Sequence, residues 1–90
     1  MTANRYVVRG QVQGVGFRWF VWRQAQRLKV RGWARNLADG SVEVVADGSP
    51  EGLARLEEAL HRGPGAAQVD SVEKTVVSHH AELPITFDIN

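Results

Sequence analysis

These 90 residues predict an α+β fold of the ferredoxin-like, split βαβ kind, an antiparallel sheet with two helices on one face. Three observations lead there. Arg5 to Val12 alternates apolar and polar residues with the period of a half-buried strand. Two stretches, Phe17 to about Lys29 and the segment between Ser49 and Gly63, repeat apolar residues at helical spacing. The elements follow as strand, helix, strand, strand, helix, strand, with a short strand tail.

In the first strand Tyr6, Val8 and Val12 share one face, and Val7, Arg9 and Gln11 the other. The first helix buries Phe17, Val21, Ala25 and Leu28, with Arg23 and Arg27 off that stripe. Arg31 to Leu37 forms the second strand, Asp39-Gly40 a tight hairpin turn, and Ser41 to Ala46 the returning third strand. Ser49-Pro50-Glu51 starts the second helix: serine caps, proline suits the first turn and glutamate favours the helix dipole. Leu53, Leu56 and Leu60 form its buried stripe, and Gly63-Pro64-Gly65 stops it. Val69 to Ser78 is the fourth strand and Ile85 to Ile89 a short fifth.

Ninety residues suit a single domain with one modest core. There is no cysteine, which excludes disulfides, thiolate metal sites and cysteine nucleophiles. No stretch approaches the roughly 20 apolar residues that cross a bilayer. No basic segment followed by an apolar run opens the sequence, so the cytosol is the expected location; a monomer is the expected state for a chain of this size. Charge is lopsided: residues 1–38 hold eight Lys or Arg and no acid, whereas residues 39–90 hold three basic and ten acidic side chains. The two halves can neutralise each other on packing, and the basic half can also draw anions.

Chemistry concentrates in Gly10-Gln11-Val12-Gln13-Gly14-Val15-Gly16-Phe17-Arg18. A strand runs into a glycine-rich turn, and an arginine stands where a helix begins. Glycines let main-chain N–H groups turn inward, the helix start adds unpaired donors and partial positive charge, and arginine adds a planar fork of charged donors. Together they form a cradle for a phosphoryl group or similar anion. Known nucleotide loops do not fit: Phe17-Arg18 replaces the Lys-Ser/Thr of a P-loop, and Trp19 stands where a dinucleotide fingerprint needs glycine. A helix from residue 18 to about 30 travels roughly 18 Å, and a strand from Arg31 to Asn36 returns roughly 17–20 Å. Asn36 therefore arrives beside Arg18, at the mouth of the cradle.

With Gly32-Trp33-Ala34-Arg35-Asn36-Leu37-Ala38-Asp39-Gly40-Ser41-Val42-Glu43 added to the glycine loop, the chain resembles the acylphosphatases over nearly its whole length. The resemblance implies an acylphosphate phosphohydrolase that cleaves the carboxyl–phosphate bond of acyl phosphates. Water attacks directly, with no metal, cofactor or covalent intermediate. It also implies that Arg18 binds the phosphoryl group and Asn36 holds the attacking water. The backbone of Gln13, Gly14, Val15, Gly16, Phe17 and Arg18 would cradle the phosphate, with inorganic phosphate as product and competitive inhibitor. The physical logic agrees. A carboxylate is a good leaving group, so positioning and charge stabilisation suffice. No Ser, Cys, His or Asp beside the cradle suits nucleophilic or general-base work.

Other residues read as structural. Trp19 and Trp22, three apart, share a helix face and read as packing or rim residues rather than a surface for substrate stacking. Trp33 reads as sheet packing, and His61 as a dipole partner at a helix C-terminus. His79 and His80 are neighbours on a strand and point to opposite faces, which argues against a shared metal. A nucleic-acid-binding module shares this fold plan and a basic half, but Ser41 to Ala46 lacks the aromatic residues such sheets use. A catalytically quiet partner-binding domain would more naturally lack Arg18 or Asn36, and this chain keeps both.

Overall fold

The computed structural model describes residues 2–78 and 83–90. The alternating first segment forms β1 (Thr2–Gln11), and a glycine turn leads into α1 (Phe17–Leu28). β2 (Arg31–Asn36) and β3 (Val42–Asp47) make the hairpin, followed by α2 (Pro50–Arg62), β4 (Gln68–Ser78) and β5 (Phe87–Ile89). The strands lie in the order β4-β1-β3-β2-β5. β1 pairs antiparallel with β3 and β4, and β2 antiparallel with β3.

One expectation is corrected. The sheet is mixed, because β5 runs parallel to β2, with Gly32 opposite Phe87 and Ala34 opposite Ile89. The reason is topological. A strand that reversed by a hairpin would lie antiparallel beside β4, at one edge of the sheet. β5 instead sits at the far edge beside β2, and a strand running opposite to β4 must there run with β2. Periodicity in a sequence carries no information about that choice. The strand is also shorter than expected, beginning at Phe87 rather than Ile85.

The core lies between the helices and one sheet face. Tyr6, Val8 and Val12 meet Ala34, Val42, Val44 and Ala46, beneath Phe17, Val21 and Ala25 of α1 and Leu56 and Leu60 of α2. Leu28 and Leu53 pack against it half-buried. Burial of each large apolar side chain contributes about 1.5–3 kcal/mol. On the opposite face Trp33 packs with Ala3, Val45 and Leu83, and the Arg35 guanidinium lies 4.6 Å over its ring. This face carries the expected neutralisation between the halves. Glu43, only 5% exposed, accepts from both Arg5 and Arg35; Arg9 pairs with Glu73 and Arg31 with Asp47.

Candidate active site

β1 hands the chain to a short turn at residues 13–16. Gly14 (φ 74°) and Gly16 (φ 77°, ψ 20°) adopt left-handed backbone, which costs other L-residues about 1–2 kcal/mol. A Cβ on either would meet no protein atom within 4 Å. Packing therefore does not demand glycine; the backbone conformation does, and the bare main chain stays open to approach. Gly16 is the N-cap of α1, with no side-chain cap and no acid in the first turn. The first N–H groups of the helix are left without intrahelical acceptors, at its positive end. Phe17 anchors this start, fully buried with its ring 6.0 Å from that of Phe20. Val15 packs half-buried against the same core.

Arg18 is half-exposed, and its Nη1 donates to the main-chain oxygen of Asn90 at 2.7 Å. The N–H of Asn90 donates to the carbonyl of Ala34 at 2.9 Å. The guanidinium is thereby tied, through the end of β5, to β2 two residues before Asn36. Asn36 is exposed and closes β2 opposite Val42. Gln13 makes the second tie. Its Nε2 donates to the carbonyls of Leu37 (2.8 Å) and Ser41 (2.9 Å), the residues flanking the hairpin turn. The turn itself is closed by Leu37 N–H to Ser41 O at 2.8 Å and Gly40 N–H to Leu37 O at 3.1 Å. Asp39 accepts from the Ser41 hydroxyl and from its N–H at 2.9 Å, and these bonds hold its carboxyl below the usual carboxylate range.

Residues 13–18 and Asn36 thus meet at one end of the sheet, where matched helix and strand lengths put them. Three participants were not anticipated. The Asn90 main-chain oxygen needs the position of β5, which no local pattern reveals. The Gln13 side chain could have been suspected as a polar residue directly after the buried Val12. Glu43, a lone carboxylate in a valine-rich strand, was the visible sign of the Arg5–Glu43–Arg35 cluster that braces the residue preceding Asn36. Trp19 and Trp22 do share a face, with rings 5.9 Å apart edge to face. His79 and His80 lie outside the described residues. Among the described residues no group of three or more His, Asp or Glu could hold a metal ion, and no helix is long and apolar enough to cross a membrane.

What this end of the molecule presents is main-chain donors around a left-handed glycine turn, a guanidinium and an exposed carboxamide, an arrangement fit to bind a phosphoryl group and orient water. Comparison with known proteins shows the family. The family model for acylphosphatase matches residues 4–89. An acylphosphatase of Nitratidesulfovibrio vulgaris is 51% identical over 90 residues, covering 99% of this chain and 90% of its own length. The crystal structure of acylphosphatase from Bacillus subtilis superimposes with a TM-score of 0.91 at 36% identity, covering 100% of this chain and 99% of its own. An acylphosphatase from Coxiella burnetii gives a TM-score of 0.90 at 35% identity, covering 99% and 92%. By sequence and by fold, the chain belongs to the acylphosphatase family.

Proposed function

We propose that the mouth formed by residues 13–18 and Asn36 is where this acylphosphatase cleaves the carboxyl–phosphate bond of its substrate. The phosphoryl oxygens lie against the main-chain N–H groups of Gly14 to Arg18 and the Arg18 guanidinium. Asn36 holds a water in line with the scissile bond. The water oxygen bonds to phosphorus, the bond from phosphorus to the acyl oxygen breaks, and the carboxylate leaves with the electron pair. The proton passes to a phosphoryl oxygen, giving a carboxylate and inorganic phosphate. Donors and one cation stabilise the charge that develops on the phosphoryl oxygens, and the weakly basic leaving group needs no strong acid. The protein acts as a cytoplasmic monomer, and inorganic phosphate, as product, competes with substrate.

The observation that carries this reading is the double donation from Gln13 across to Leu37 and Ser41. It seats the loop that precedes Arg18 against the strand end that bears Asn36. The test is hydrolysis of benzoyl phosphate in the presence of a chelator, by the wild type and by Asn36→Ala. Full wild-type activity is expected with chelator. Asn36→Ala should lose about a hundredfold in kcat, the scale of lost positioning, with the inhibition constant of inorganic phosphate within twofold of wild type. Undiminished turnover in the variant would contradict the role given to Asn36.

A further inference from the structure

A second feature adjoins this mouth. A cleft of about 450 Å³ is lined by Trp19 and Trp22 on α1 and by Phe87, Asp88, Ile89 and Asn90 on β5. That volume lies in the roughly 300–1,000 Å³ range of small-molecule sites. Trp19 is 60% exposed, one of three large apolar side chains left exposed among the described residues. Its neighbour in sequence, Arg18, donates to the oxygen of Asn90, which itself lines the cleft. Trp22 follows Arg18 by four residues and so stands one turn further along the same helix face, about 5–6 Å away between Cβ atoms. The cleft therefore begins where the guanidinium ends.

We infer that this cleft receives the acyl group of the substrate and favours neutral aromatic acyl phosphates. The inference rests on the proposed function. A substrate held by its phosphoryl group in the glycine turn must extend its acyl part out of the mouth. On the hairpin side stands the exposed Asp39, whose carboxylate accepts from the Ser41 hydroxyl and N–H. On the β5 side the acyl part meets two indole rings set edge to face, a geometry that accepts a third ring by offset or edge contact. Asp88 at the cleft disfavours an acyl chain bearing a second carboxylate.

The test compares kcat/KM for benzoyl phosphate with that for acetyl phosphate, in the wild type, Trp19→Ala and Trp19→Phe. The exposure of Trp19 makes these variants safe for folding. The benzoyl-to-acetyl ratio should fall about three- to tenfold in Trp19→Ala, the range of a lost aromatic contact, and recover in Trp19→Phe. The advantage of phenylphosphonate over methylphosphonate as an inhibitor should fall in parallel. An unchanged ratio, with acetyl phosphate still hydrolysed by the wild type, overturns the acyl cleft and leaves the proposed function standing. Wild-type protein that hydrolyses neither compound overturns both. Sedimentation showing a wild-type dimer that Trp19→Ala dissolves assigns the cleft to a second copy of the chain and also overturns the inference.

Discussion

The two helices begin in opposite ways. At α2, Ser49 accepts the N–H of Gly52 at 2.9 Å, Pro50 opens the first turn, and Glu51 places a negative charge at the positive end. Arg55 then reaches back to Glu51 at 3.4 Å. At α1, Gly16 offers no side-chain cap, the first turn carries no acid, and Arg18 puts a cation where the dipole disfavours it. The chain thus completes one helix start with a cap, a proline and an acid, and leaves the other unfinished. The unfinished start is also the one tied to its surroundings by side chains, through Arg18 to Asn90 and through Gln13 to the hairpin. On the proposed function, local stability is given up at the start where the phosphoryl group supplies the missing acceptors.

Substitutions at the two starts sharpen the contrast. Arg18→Ala should lower kcat/KM for benzoyl phosphate by about a thousandfold, the upper range for removing one charge-stabilising group. Its melting temperature should move little, because relief of an unfavourable dipole contact offsets the lost bond to Asn90. Ser49→Ala should do the reverse. It removes the cap and costs about 1 kcal/mol, which lowers Tm by roughly 4–8 °C in a domain of this size, while kcat and KM stay at wild-type values. Equal effects of both substitutions on activity, or equal effects on Tm, would break the comparison.

A smaller effect concerns the bracing of Asn36 from the open sheet face. Burial alone would push the Glu43 carboxyl up, but hydrogen bonds and charge from Arg5 and Arg35 hold it below its ordinary value. A carboxyl whose folded value is depressed adds stability that is fully present above the unfolded value, roughly pH 4.3. That stability is lost as pH falls through the lower, folded value. Tm measured between pH 6 and pH 3 should therefore fall at the acid end, and Glu43→Gln should flatten that limb. An acid limb of unchanged steepness in Glu43→Gln would show that other carboxyl groups govern it.

Much of this was readable before any coordinates, and the reasons are physical. Gly14, Gly16 and Arg18 announce themselves because a left-handed turn and a helix start are local events with local residue preferences. Asn36 was reachable because a helix and a strand of known rise have nearly equal lengths. The second helix was bounded by Ser49 and Gly63 for the same local reasons. What stayed hidden is non-local. The parallel pairing of β5 with β2, and with it the grip of Asn90 on Arg18, depends on which sheet edge a strand reaches after β4. The sequence shows Gln13 as a polar residue after the buried Val12 but not its acceptors, Leu37 and Ser41, which another element supplies. The exposure of Trp19 is set by tertiary packing, which helical spacing alone does not predict.

The central claim is that an oxyanion is held by the main-chain donors of the unfinished α1 start. Amide-resolved NMR of the protein titrated with inorganic phosphate tests it most directly. The largest shifts should fall on the N–H signals of Gly14 to Arg18, with those of Glu51 and Gly52 at the α2 start unmoved. Shifts of equal size at both helix starts, or none at residues 14–18, would contradict the account.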